Sequence, residues 1–173
     1  GGGPGMILRI DPVALTLEEQ KNFHQSQGRE THIILVSPQG QPFTQKKAKE
    51  LSQNNSVLTL VCGRYEGFDE RIRSIVDEEI SGGDFVCMGG EVISMAIIES
   101  VSRLRPGFLG NQESSENESF SQSLLEYPQY TRPASYAGMD VPKELLSGNH
   151  EKINVWRQKQ ALSKTKKRRP DLI

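Results

Sequence analysis

Three glycine-rich stretches, each beside an apolar run, are the part of this sequence best suited to chemistry. Val36 runs into Ser37-Pro38-Gln39-Gly40, and Val57-Leu58-Thr59-Leu60-Val61-Cys62 runs into Gly63-Arg64-Tyr65-Glu66-Gly67. Gly82-Gly83 and Gly89-Gly90 bracket Phe85-Val86-Cys87-Met88. Glycine stands where the backbone must turn with positive φ or approach a ligand closely. Any one pair makes an ordinary tight turn. Several such loops after successive strands instead line a pocket with main-chain groups, as happens beyond the carboxyl ends of strands in parallel sheets. A ligand held mainly by N–H and C=O groups would suit adenosine with a neutral tail.

Other chemistries lack the residues to carry them. There is no Walker A loop and no G-x-G-x-x-G after a strand, which disfavours ordinary nucleotide hydrolysis and the common dinucleotide fingerprint. His24, His32 and His150 are scattered and read as structural or surface residues; no metal site is expected. No serine elbow and no paired Cys and His are present. Cys62 and Cys87 are too few and too isolated for a disulfide framework or a zinc site, which fits a reducing cytoplasm.

The elements that would position these loops alternate. Thr16 followed by Glu19 has capping-box spacing and predicts a helix over 14–27. His32-Ile33-Ile34-Leu35-Val36 reads as a buried strand ending in a turn-rich loop over 37–42. Thr44 can cap a helix through Gln53 that faces Ala48 and Leu51 inward, before the strand over 57–62. A helix over 70–76 would carry Ile72, Ile75 and Val76 on one stripe. Phe85-Val86-Cys87-Met88 reads as a further strand. Glu91 to Leu104 reads as the strongest helix, with Val92, Met95, Ala96, Ile98, Val101 and Ser102 as its packing stripe. Strands alternating with helices predict an α/β domain with a parallel sheet covered on both faces.

Beyond this the composition shifts. Gly110 to Ser119 contains no apolar residue, which predicts a mobile linker over 110–123. Ser147 to His150 read as a helix end and the cap of a next helix, over 150–165, bearing Ile153, Trp156 and Leu162. With 35% apolar and 25% charged residues, mean hydropathy −0.54 and net charge −1, the chain is globular and soluble in character. Residues 66–91 hold eight acidic and two basic side chains, whereas 150–173 hold eight basic and two acidic ones. The basic end is either a solvated helix or a surface that meets a polyanion. No apolar run is long enough to span a bilayer and no charged-then-apolar leader is present, so no membrane partner is expected. Gly1-Gly2-Gly3-Pro4-Gly5-Met6 reads like the middle of a loop, as in a fragment.

These motifs carry a resemblance. Val36 to Gly40, Cys62 to Gly67, Gly82 to Cys87 with Gly89-Gly90-Glu91, Tyr130-Thr131-Arg132-Pro133, and Leu146 to His150 resemble, in order and over essentially the whole chain, the bacterial tRNA (guanine-N1)-methyltransferases. The resemblance implies a SPOUT-type trefoil-knotted α/β domain, an exception to the rarity of knots, followed by a small α-helical appendage. It implies a cytoplasmic homodimer using S-adenosylmethionine to methylate the guanine 3′-adjacent to the anticodon in tRNA. It also implies that the family's first strand and helix and its last helices lie outside this chain. The expected organisation is therefore an N-terminally incomplete donor-binding domain over 1–109, a linker over 110–123, and a C-terminally incomplete tRNA-binding domain over 124–173.

Residue by residue, the resemblance sets the donor against Val36, Ser37, Pro38, Gly63 and the loop Gly82, Gly83, Asp84, Phe85, Val86 and Cys87, with Gly89 and Gly90 letting the backbone close around it. Glu66 falls near the methionine end of the donor. Arg103 would steady charge on guanine O6, and Glu118 would be the general base. Family members carry Asp where Glu118 stands, Tyr at Phe85, Leu at Cys87 and Ile at Gly82. Read without the resemblance, Arg103 is a cation at a helix C-terminus and Glu118 a solvated linker charge. The alternatives are an inactive donor- or RNA-binding fragment, or a SPOUT methyltransferase acting on another RNA position.

Overall fold

The computed structural model describes residue 3, residues 5–108 and residues 118–173. The chain divides into two compact units, Gly1–Gly110 and Asn111–Ile173.

The first unit is built on β1 (Thr31–Pro42), flanked by β2 (Val57–Cys62) and β3 (Glu78–Ser81) in the order β2-β1-β3. Both pairings are parallel, with Ile34 opposite Leu60 on one side and Glu78 on the other. A central parallel strand is covered on both faces and is therefore apolar throughout. Ile33, Ile34, Leu35 and Val36 are accordingly all buried. Ile34 and Val36 pack on one face with Ala48 and Leu51 of α2 (Gln45–Gln53) and with Ile97 and Val101 of α3 (Glu91–Ser102). Successive side chains alternate faces, so Ile33 and Leu35 serve the other side, where α1 (Ile10–Ser26) approaches β1 and buries Leu17. Each such aliphatic side chain contributes about 1.5–3 kcal/mol on burial. As expected, Thr44 caps α2, its hydroxyl accepting from the Lys47 N–H.

The structure revises several boundaries. α1 begins at Ile10 rather than at residue 14, with Asp11 and Pro12 in its first turn. Proline is tolerated there because its missing N–H would have no helical partner. Thr16 is no cap; its hydroxyl donates to the Pro12 carbonyl at 2.8 Å. The helix expected over 70–76 is a shorter 3-10 turn, Glu70–Ser74, capped by Asp69. Asp69 lies at about 2, below the usual carboxylate range, because its side chain accepts from Arg71.

Phe85 to Met88 is not a strand; its residues are exposed, and the third strand is Glu78–Ser81 upstream. The apolar run mimicked a strand, while two glutamates disguised the real one. They sit in a sheet because each has cations or donors: Glu78 takes hydrogen bonds from His32 Nε2 at 2.9 Å and Lys47 Nζ at 3.0 Å. Burial pushes the Glu78 carboxyl up, but these hydrogen bonds and the Lys47 charge hold it below its ordinary value. The stripe expected on α3 is also rotated. Ser94, Ile97 and Val101 are buried, whereas Val92, Met95 and Ile98 are 68%, 68% and 55% exposed.

The turn-rich segment after Val36 stays extended, and β1 continues to Pro42. Its register against β3 slips, since Val36 and Gln41 both oppose Ile80. Residues 37–40 therefore bulge out of the ladder. Gly40 is required at the return: a Cβ there would lie 2.5 Å from the Glu79 carbonyl carbon.

The second unit contains a short hairpin of β4 (Ser135–Tyr136) and β5 (Met139–Asp140), a one-turn α4 (Lys143–Leu146), and α5 (His150–Arg168). The hairpin was not expected, and α5 runs three residues beyond residue 165. Asn149 caps α5, accepting from the Lys152 N–H at 3.1 Å. Thr165, fully buried, accepts from the Leu125 N–H at 2.9 Å and so ties the incoming chain to the helix. The expected linker over 110–123 lies outside the described residues through residue 117; residues 118–123 form turns and bends. No helix among the described residues is long and apolar enough to cross a membrane.

Candidate active site

A cleft of about 330 Å³ opens where the chain leaves the carboxyl ends of the three parallel strands. The bulge after Val36, the loop after Cys62 and the loop after Ser81 form its walls. Of the residues expected around a donor, Val36, Ser37, Pro38, Gly63, Glu66, Gly82, Phe85, Val86, Cys87, Gly89 and Gly90 all line it. Gly83 and Asp84 do not; Gly83 turns the loop, its N–H donating to the Ser81 hydroxyl at 3.1 Å.

Two tethers shape the walls. The loop over 63–67 is braced from below, because the Leu8 N–H donates to the Gly67 carbonyl at 2.8 Å and the Glu66 N–H to the Met6 carbonyl at 3.0 Å. Across the cleft, the Gly90 N–H donates to the Gly63 carbonyl at 3.2 Å, and Arg64 Nε donates to Glu91 Oε1 at 2.7 Å. The Glu91 backbone N–H, with Arg64 adding to it, holds that carboxyl below its ordinary value. Gly90 is the N-cap of α3, and the chains approach closely there: a Cβ would lie 3.1 Å from Cys62 Cα and 3.4 Å from Val36 Cβ.

A polar chain fixes the bulge. The Ser37 hydroxyl donates to Glu79 Oε1, and the Gln39 N–H donates to Ser37 Oγ at 3.0 Å. Arg73 Nε donates to Glu79 Oε2 at 2.9 Å, and Arg73 Nη2 reaches Glu79 Oε1 at 3.0 Å and Gln39 Oε1 at 2.9 Å. Hydrogen bonding to Glu79 raises the Arg73 pKa above its ordinary value. Arg73 and Glu79 line the cleft and escaped the sequence reading. The parallel alignment of β1 and β3 brings Glu79 to Ser37, and Arg73 joins them from the 3-10 turn through Glu79 and Gln39; no local motif signals that. Arg64, noted only as part of a glycine-rich loop, is the visible half of the other tether.

A sequence model described as tRNA (Guanine-1)-methyltransferase TrmD matches residues 1–173. The chain belongs to that family. Relatives include the tRNA (guanine-N(1)-)-methyltransferase of Mycoplasma mobile, 54% identical over all of this chain and 84% of its own length. Those of Syntrophotalea carbinolica and Carboxydothermus hydrogenoformans are 53% and 51% identical, again over all of this chain, covering 68% and 66% of theirs.

Neither of the two residues that the family resemblance makes catalytic is among the residues lining this cleft. Arg103, half-buried, follows the last turn of α3, its N–H donating to the Glu99 carbonyl at 3.1 Å. Glu118 belongs to the second unit, where it lines a cleft of about 320 Å³ with Ser121, Glu126, Tyr127 and Arg157. Its carbonyl accepts from the Ser121 hydroxyl at 2.7 Å. Among the described residues no group of three or more His, Cys, Asp or Glu side chains is placed to hold a metal.

Proposed function

We propose that this chain transfers the methyl group of S-adenosylmethionine to N1 of the guanine 3′-adjacent to the anticodon in tRNA. The observation that carries the reading is the coincidence of the full-length family match with a glycine-walled cleft at the strand ends. The residues present fit this donor. At Gly90, where a Cβ would crowd Cys62, the missing side chain lets main-chain groups come up to a flat ring system. Val36, Phe85 and Val86 add apolar surface, and Glu66 offers a carboxylate to the amino end.

When bound, S-adenosylmethionine supplies a methyl carbon on a positively charged sulfur. Glu118 would take the N1 proton of the guanine that accepts the methyl group, S-adenosylhomocysteine being the other product. Arg103 balances negative charge building on O6, a role strengthened where water is excluded. The basic helix α5 and the tail over 166–169 hold RNA phosphates. In this reading the three loops belong to a trefoil knot. The enzyme is a cytoplasmic homodimer that pairs through the exposed apolar face of α3, and the second unit is the tRNA-binding domain. A single-turnover assay with labelled S-adenosylmethionine tests it: label enters a tRNA bearing guanine after the anticodon and not the same tRNA bearing adenine there. Label in both, or in neither, contradicts the reading.

A further inference from the structure

The second unit carries a broader cleft, of about 1060 Å³, whose walls have a different chemistry from the one holding Glu118. Tyr127, Tyr130, Arg132, Leu145, Ile153 and Arg157 line it, and none of its lining residues is acidic. The cleft beside Glu118 contains Glu118 and Glu126, whose charges oppose an anion there. Arg157 lines both. Its guanidinium lies 4.8 Å from the centre of the Tyr127 ring, and its Nε is buried with no hydrogen-bond partner. Among the described residues it forms no ion pair, and neither does Arg132. An aromatic ring holds this cation in place while its donors stay unused, which is the arrangement of a cation awaiting an anionic acceptor. Tyr130 leans on Trp156, with ring centres 6.3 Å apart, yet remains 50% exposed. A supported ring with an open face is a platform for a flat partner.

We infer that this cleft takes one unpaired nucleotide of the RNA, its base stacked on Tyr130 and its phosphate held by Arg157 and Arg132. Aromatic platforms beside arginines are how single-stranded nucleic acid is held without sequence readout. A base inside a duplex keeps both its faces covered, so the ligand is a loop or bulge nucleotide. The inference rests on the chain being an RNA-modifying enzyme and names where in the second unit that RNA is gripped.

The test is binding of a fluorescent eight-nucleotide single-stranded RNA to the whole chain, over a salt series, with S-adenosylmethionine affinity measured beside it. Tyr130→Leu is expected to weaken RNA binding about tenfold with the salt slope unchanged, and Tyr130→Phe to retain it. Arg157→Gln is expected to lower the slope of log K against log salt by about 0.7, the loss of one single-strand phosphate contact, and Arg157→Lys to keep it. Donor affinity stays at the wild-type level in all four. Wild-type RNA binding in both Tyr130→Leu and Arg157→Gln would overturn the inference. Should Arg157→Gln misfold, the Tyr130 pair, on a half-exposed ring, decides alone. Competition by inorganic phosphate as strong as by adenosine monophosphate would remove the stacking and overturn it too. RNA binding with these dependences but no methyl transfer would sink the proposed activity and leave the nucleotide site standing.

Discussion

Glu118 and Gly90 make opposite kinds of demand on the chemistry. If Glu118 removes the N1 proton, Glu118→Gln keeps size and hydrogen bonding but loses the base. Transfer should fall at least about 100-fold, within the range that general base catalysis contributes, with donor affinity unchanged by calorimetry. Equal loss of both would contradict the base role. Glu118→Asp is the companion variant, because a shift near 1 Å in a catalytic group can alter rate about 100-fold. Gly90 works by having no side chain. With a Cβ 3.1 Å from Cys62 Cα, Gly90→Ala requires the contact between α3 and β2 to give by about a few tenths of an ångström. Overpacking of this kind costs about 1–3 kcal/mol. A lowered melting temperature together with several-fold weaker donor binding is expected; wild-type donor affinity would remove Gly90 from the site. The glycines were legible in the sequence because few residues can replace them. Arg73 and Glu79 were not, since Glu79 meets Ser37 only once β1 and β3 are aligned, and Arg73 joins through Glu79 and Gln39.

At the scale of elements, β3 shows how charge can hide a strand. Glu78 and Glu79 look like surface residues, yet the sheet accepts them because His32, Lys47, Ser37 and Arg73 meet them from β1, α2 and the 3-10 turn. Where apolar residues face the core on a single element the pattern was readable: Ala48 and Leu51 of α2 and the run over 57–62 fell where expected. It failed where apolar residues face outward, as in Phe85 to Met88 and half of α3. The Glu78 cluster gives a pH test. Its folded carboxyl titrates below the ordinary 4.5, so the unfolded chain binds the proton more readily. The stabilisation is present above that ordinary value and is lost as pH falls through the folded one. Glu78→Gln should therefore lower the melting temperature at pH 7, and the gap from wild type should close as pH falls below the carboxylate's folded value. A gap that persists in acid would show that Glu78 acts through packing alone.

For the whole molecule the decisive feature is the face that the first unit leaves bare. α3 is apolar on two sides. Ser94, Ile97 and Val101 turn into the core, and Val92, Met95 and Ile98, three residues apart, stand in solvent with Phe85, Val86 and Met88 also exposed. An exposed apolar stripe along one helix face favours association over solvation. In the homodimer proposed above, a second copy of the same helix would cover it. Ile98→Glu places a charge in that contact without touching the core side of α3. The far-UV circular dichroism should stay native while sedimentation shifts from dimer to monomer at micromolar concentration. Met95→Leu, which keeps the surface apolar, should remain dimeric. If Ile98→Glu still sediments as a dimer, the contact lies elsewhere. If the wild-type chain is itself monomeric, the bare face of α3 has some other occupant, and a donor cleft walled by one copy must then work alone.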